Sequence, residues 1–322
     1  MKILQIAAPG QVEWKDVPIP DPGPGEVLVK VESVTTCPHW DLHIMSGEPM
    51  FPGADLEYPY TPGQPGHEAM GEVVALGSDV TALTVGARVA AWRDAGHQRQ
   101  GCYAQYVTAV VDNLLEIPTG LSAAKVTSLE LAMCLQVSFD QLARLDALPG
   151  SRFGVSGLGP AGLIAVQMAR ACGAREVVAF DPLPARRELA ANLGADLVLP
   201  PNDSFPPGRG GDSALGAAID CTGLKPSIEY LMARTRQAVA IFGVLRETVE
   251  FKAENWSGGF TLMGYEPHNR SAAERALQLI VDNAIDLAPL ATHTLPFTRY
   301  AEGVDLLRTK EAIKIRFLPW EK

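Results

Sequence analysis

The 322-residue sequence predicts an α/β chain of two domains, a β-rich one followed by a doubly wound parallel sheet. Three observations carry this. The length exceeds what one hydrophobic core usually holds. Residues 1–120 are rich in Val, Gly and Pro and show short alternating runs ("EVLVKVESV", "GEVVALG", "ARVAAW", "CYAQYVTAV") without long helical patterns. From about residue 121 strand and helix patterns alternate, which implies parallel strands with helices on both faces.

The elements follow in order. The opening "MKILQIAAPGQVEWKDVPIP" has an apolar run that soon gives way to charge, as a first strand does and a secretory signal does not. After the β-rich part, "LSAAKVTSLELAMCLQVSFDQLARLDAL" has the apolar spacing of a helix and is ended by Pro149-Gly150. Then come "SRFGVSG", "PAGLIAVQMARACG", "EVVAFD", "PARRELAANLG", "ADLVL", "LGAAIDCTG", "KPSIEYLMART" and "QAVAIFGV", strands and helices in turn. "PNDSFPPGRGGDSAL" reads as a loop within this domain, and "ATHTLPFTRYAEGVDLLRTKEAIKIRFLP" as loop, helix and final strand.

Composition narrows the function classes. Hydrophobic residues make up 47% and charged residues 20%, as in ordinary soluble enzymes. A net charge of −10 argues against nucleic acid or an anionic membrane surface as partner. No apolar run reaches the ~18 residues of a membrane span, so a cytoplasmic protein is expected. Cys37, Cys102, Cys134, Cys172 and Cys221 are scattered, odd in number and form no Cys-x-x-Cys pair. In a reducing compartment such cysteines are core residues, catalytic residues or metal ligands rather than disulfides.

Residues 152–162, "RFGVSGLGPAG", hold a specific signal. A strand ends at Val155, and Gly157, Leu158, Gly159, Pro160, Ala161 and Gly162 make a G-x-G-x-x-G turn that opens a helix. The first glycine allows the tight turn, the second the close approach of a pyrophosphate, the third close packing of helix on strand. The helix N-terminus then offers its partial positive charge to the phosphates. Asp181 closes the next strand in "VVAFDP", where a carboxylate accepts from a ribose 2′-hydroxyl and repels a 2′-phosphate. NAD is therefore expected over NADP. Arg186 and Arg187, slightly further on, either soften that preference or form a solvated helix face.

Upstream, "VTTCPHWDLHIMSG" contains Cys37 and the pair Asp41 and His43, and "GQPGHEAMGEVVALG" contains His67 and Glu68. A thiol, then Gly-His-Glu, in a β-rich domain preceding a dinucleotide turn resembles the medium-chain dehydrogenase/reductase superfamily, and within it the zinc-dependent alcohol and polyol dehydrogenases. "GEVLVKVESV", "GCYAQYV", "AIDCTG" and "LPFTRYAEGVDLL" extend the likeness along the whole chain.

The resemblance implies a GroES-like catalytic domain over 1–122 and 286–322, and a Rossmann NAD-binding domain over 123–285. It implies one catalytic Zn²⁺ held by Cys37, His67 and a third ligand, since zinc takes thiolate and imidazole and a catalytic site keeps one position open. That third ligand is Cys134, in a form like Cys-x-x-Val-Thr, or alternatively Glu130, in a form like Glu-Pro-Leu. Glu68 would stand beside the metal, and Asp41 would hydrogen-bond the non-ligating nitrogen of His67. Cys221, Thr222, Gly243 and Val244 would line the nucleotide with Arg186.

Two departures stand out. The lobe that carries a structural zinc in many relatives offers only Cys102 here, so no second zinc is expected. Between Cys37 and Asp41 there are three residues, Pro38, His39 and Trp40, and the relatives' relay hydroxyl is missing. His39 is then a candidate proton acceptor with His43 as its exit to solvent. Trp40, Met50, Phe51, Trp92 and Met263 are candidates for pocket lining or for packing.

The expected activity is hydride transfer between NAD and an alcohol, polyol or sugar, or the reverse reduction of a ketone or aldehyde. The rival readings are a zinc-free enoyl or quinone reductase and a non-catalytic nucleotide-binding paralogue. A homodimer or homotetramer acting on a small-molecule alcohol or carbonyl substrate is expected.

Overall fold

In the computed structural model, which describes every residue except Pro52, Ala95, Asp203 and Lys322, the chain divides into two compact units. One is Met1–Leu131 with Asp286–Lys322, the other Ala132–Ile285. The division leaves residues 123–131, expected in the Rossmann domain, with the first unit.

The first unit is built on a seven-stranded sheet. Its path runs Ala291–Pro296, Lys314–Leu318, Glu26–Thr35, Glu68–Leu76, Arg88–Ala91, Leu114–Glu116, with Tyr106–Val110 paired to Glu26–Thr35. The long central strand Glu26–Thr35 alternates Val and polar residues, and its Val27, Val29 and Val31 are buried. They join Leu4, Ile6, Tyr103, Tyr300, Val304 and Phe317 in one core. C-terminal residues thus complete the N-terminal domain: Lys314–Leu318 pairs antiparallel with the end of Glu26–Thr35 through Arg316↔Thr35 and Phe317↔Val34. This places Lys314 and Glu68 in the same region of the sheet, although they are 246 residues apart.

The second unit has six parallel strands in the order Leu197–Leu199, Glu176–Phe180, Arg152–Ser156, Leu215–Asp220, Thr235–Ile241, Thr261–Met263. Numbered along the chain this is 3-2-1-4-5-6, the order of dinucleotide-binding sheets. The order reverses between Arg152–Ser156 and Leu215–Asp220, and ligands bind such sheets at the carboxyl ends on either side of that reversal. Strand residues here are almost continuously apolar because both faces carry helices; Phe153, Val155, Val177, Val178, Phe180, Ala217 and Ile219 are all fully buried. No helix among the described residues is long and apolar enough to cross a membrane.

Candidate metal centre and nucleotide turn

Cys37 ends an extended segment and caps the helix Pro38–Ser46. Proline suits that first helical position because it has no N–H to leave unsatisfied. His67 precedes the strand Glu68–Leu76 and is 6% exposed. Its Nδ1–H donates to the Pro65 carbonyl at 2.8 Å, which leaves Nε2 to carry the lone pair of the neutral ring. Ligand atoms of Cys37, His67 and Glu68 all lie within 4.8 Å of one another. Glu130, in the first turn of the helix Leu129–Arg144, brings Oε2 to 3.8 Å from His67 Nε2. Burial alone would lower the pKa of His67, but the Cys37 thiol beside it, with Glu130 and Glu68 beyond, raises it well above the ordinary value. Three acidic donors gathered on one buried imidazole form a place for a cation, and thiol, imidazole and carboxylate are zinc's donors.

Glu68 is itself held. Both its carboxylate oxygens accept from Lys314 Nζ at 2.5 Å, and Thr35 Oγ1 donates to Oε2 at 3.1 Å. Lys314 is fully buried and Glu68 is 1% exposed. A buried charge pair persists only with such close compensation.

Asp41 departs from its expected partner. The nitrogen of His67 that it was to bind is taken by Pro65. Helix formation from Pro38 sets Asp41 one turn after Cys37, its N–H on the Cys37 carbonyl, and its fully buried carboxylate turns to the core. There Oδ1 accepts from Tyr103 at 2.8 Å and from Tyr300 at 2.7 Å. Burial pushes the carboxyl up to about 6, against the pull of the Tyr300 and Tyr103 hydroxyls.

Around the catalytic loop, His39 is exposed, and its ring centroid is 6.5 Å from that of His43. His43 Nδ1 donates to the Glu48 carbonyl at 2.9 Å. Trp40 packs on His97 at 4.0 Å and on Phe51 at 5.8 Å, and His97 Nδ1 is 3.0 Å from the Tyr60 hydroxyl. Burial first, and the neighbouring His67 charge next, lower the pKa of His97. Sequence reasoning passed over His97, Tyr60, Tyr103, Tyr300 and Lys314. Tyr103 and Tyr300 lie in the stretches "GCYAQYV" and "LPFTRYAEGVDLL", but only the fold brings them to Asp41, brings His97 and Tyr60 to Trp40, and brings Lys314 to Glu68. Of the other pocket candidates, Met50 and Trp92 are core residues, the latter donating from Nε1 to the Asp112 carbonyl.

In the second unit Cys134 is buried, and its Sγ is 3.4 Å from His268 Nε2. The glycine turn has the expected form. Gly157 has φ +85°, and a side chain there would strike Thr222 Cγ2 at 2.4 Å. At Gly162 an added Cβ would lie 1.8 Å from the Gly157 carbonyl oxygen. At Gly159 it would meet no protein atom within 4 Å, so the room kept there is not used by the fold. Gly159 caps the helix Pro160–Ala171 without a side-chain hydrogen bond, which leaves N-terminal N–H groups for an anion. Across the reversal, Asp220 accepts from the N–H groups of Thr222 and Gly223 and from the hydroxyls of Thr222 and Ser227, shaping the turn that holds Cys221. Gly243 backs it: a Cβ there would sit 2.0 Å from Gly223 N. These features fit a dinucleotide.

Residues 23–119 match the alcohol dehydrogenase GroES-like domain, and residues 160–282 the zinc-binding dehydrogenase domain. The chain belongs to the zinc-binding dehydrogenases of the medium-chain dehydrogenase/reductase superfamily. It is 28% identical to an L-galactonate-5-dehydrogenase of Escherichia coli (strain K12), covering 98% of each chain. It is 26% identical to an L-threonine 3-dehydrogenase of Bacillus subtilis (strain 168), covering 94% of each. A match of 34% identity to an alcohol dehydrogenase of Rhizobium meliloti spans 58% of this chain and 58% of that relative. Among solved structures, a zinc-binding dehydrogenase from Sinorhizobium meliloti 1021 bound to NADP superposes with a TM-score of 0.84 at 25% identity, over 99% of both chains. Galactitol-1-phosphate dehydrogenase from Escherichia coli shares the fold, with a TM-score of 0.83 at 23% identity over 99% of this chain and 100% of that one.

Proposed function

We propose that this zinc-binding dehydrogenase transfers a hydride between NAD and an alcohol, polyol or sugar, or reduces the corresponding carbonyl. The observation that carries the reading is the thiol–imidazole–carboxylate group at Cys37, His67 and Glu68, with the Glu130 carboxylate 3.8 Å from His67 Nε2, in a chain whose other unit holds a dinucleotide turn. When bound, zinc supplies Lewis-acid polarisation of the substrate oxygen, and the nicotinamide takes or gives the hydride.

The chain's own residues do the rest. Cys37 and His67 hold the metal, with the Nε2 lone pair of His67 aimed by the Pro65 carbonyl. Glu130 is the third ligand. Its carboxylate lies 3.8 Å from His67 Nε2, and this distance favours it over Cys134, the residue favoured from sequence. Glu68 stays beside the metal, held by Lys314. His39, exposed, takes the alcohol's proton, and His43 passes it to solvent. In the other unit Asp181 favours NAD by accepting from the ribose.

Metal analysis joined to an NAD-reduction screen over primary, secondary and polyol alcohols tests this. About one zinc per chain, with turnover lost on chelation, is expected. Glu130→Ala should lose the metal while Cys134→Ala keeps most of it; the reverse returns the third ligand to Cys134. Full turnover of an enone or quinone by metal-free protein, with no alcohol turnover, would replace the proposal with the zinc-free reductase.

A further inference from the structure

The segment that carries Cys37 is pinned on both sides by the C-terminal part of the chain. Just before it, the Thr36 N–H donates to the Ile315 carbonyl at 3.0 Å, and the Thr36 hydroxyl accepts from the Ile315 N–H at 2.9 Å. Just after it, Pro38 has no N–H to offer, and Cys37 caps the helix Pro38–Ser46 without a side-chain hydrogen bond. The anchor on that side is Asp41. Its N–H holds the Cys37 carbonyl at 3.0 Å, and its Oδ1 takes the hydroxyls of both Tyr103 and Tyr300. Its Oδ2 is buried with no hydrogen-bond partner among the described residues. A buried carboxylate is costly unless hydrogen-bonded, so the two hydroxyls are what keep this side chain in place. They are fixed donors: Tyr103 and Tyr300 are buried and meet edge to face, with ring centroids 5.0 Å apart. Tyr300 opens the helix Tyr300–Arg308 and reaches Asp41 across 259 residues of chain.

We infer that Asp41 is the positioning residue for the Cys37 sulfur and that Tyr103 and Tyr300 act through it, which makes the C-terminal return of the chain part of the metal seat. The inference rests on the reading of Cys37 as a ligand. In place of orienting His67, as the resemblance implied, Asp41 orients the other ligand. Zinc takes a thiolate at about 2.3 Å in a tetrahedral arrangement, so a cysteine whose backbone can drift holds it poorly. Residues that orient a ligand without touching the metal commonly change its affinity by about 10–100-fold.

Competition for zinc against a chromogenic chelator reads this without turnover, on the full chain at a temperature where circular dichroism shows each metal-free variant folded. Tyr300→Phe should weaken zinc by about tenfold or more. Asp41→Leu should weaken it at least as much, while Asp41→Asn, whose amide oxygen accepts the same two hydroxyls, should stay within about threefold of the unaltered chain. Tyr58→Phe is the control. The Tyr58 hydroxyl donates to the Ile44 carbonyl at 2.5 Å, further along the same helix, and its loss should leave zinc affinity unchanged. The assignment is overturned if Tyr300→Phe binds zinc as tightly as the unaltered chain, if Tyr58→Phe costs as much as Tyr300→Phe, or if Asp41→Asn loses as much as Asp41→Leu. Cys37→Ser keeps the two readings apart. If it alone weakens zinc, Cys37 remains a ligand and only the anchoring role falls; if it holds zinc as tightly as the unaltered chain, the metal reading falls and the anchoring role with it.

Discussion

Replacing Lys314 by methionine should be among the costliest single changes in the first unit. The side chain is fully buried, and methionine nearly matches its stem, so packing is largely kept and charge alone is removed. What remains is Glu68, 1% exposed, with Thr35 Oγ1 at 3.1 Å as its hydrogen-bond donor in place of the two short contacts from Nζ. Leaving one member of a buried ion pair alone costs about 3–5 kcal/mol, or a fall of about 6–20 °C in melting temperature for a unit of this size. Removing both charges, in Lys314→Met with Glu68→Gln, should restore more than half of the loss, because an uncharged pair has no unpaid desolvation. Urea unfolding of the first unit in the presence of chelator measures all three variants against the unaltered chain, with no metal to mask Glu68. A single-variant cost below about 1 kcal/mol, the range of surface pairs, would show that Glu68 finds other compensation and that the pair does not organise the site.

Other changes separate the roles assigned to neighbouring residues. Gly162→Ala should lower both nucleotide affinity and the stability of the second unit, since its Cβ would fall 1.8 Å from the Gly157 oxygen; Gly159→Ala should spare stability and lower only NADH binding, and equal melting curves for both variants would refute the distinction. His39→Ala should reduce kcat about 100-fold with zinc content unchanged if it accepts the substrate proton; near-full kcat from pH 6 to 9 would leave water as the carrier. The Arg99 guanidinium, with the Gly23 N–H, holds the Glu26 carboxyl below its usual pKa against the opposing effect of burial. That pair therefore adds stability above the unfolded carboxylate value and loses it as pH falls through the lowered one. Glu26→Gln should cost under about 1 kcal/mol at pH 7 and nothing near pH 3, and a penalty independent of pH would contradict the ion pair.

Much of this protein is local in its sequence. The G-x-G-x-x-G turn, the strand before it, the helix after it and Asp181 lie within one stretch of chain, and each glycine has a steric reason that holds whatever surrounds it. The alternating valines of Glu26–Thr35 and the near-continuous apolar strands of the second unit state their burial directly. Cys37 and His67 were paired by the family resemblance, and the fold brings their sulfur and imidazole within 4.8 Å of each other. The rest needed the tertiary structure, because it depends on contacts between distant residues. Alternation along "AIKIRFL" would turn Lys314 to solvent, yet the strand is covered on both faces and the lysine meets Glu68 from the far end of the chain. Asp41 was assigned to His67 by the family resemblance, but the helix starting at Pro38 rotates it toward Tyr103 and Tyr300. Glu130 and Cys134 are one helical turn apart and equally able to ligate as residue types, and no periodicity in the sequence encodes that the Glu130 carboxylate comes to 3.8 Å from His67 Nε2.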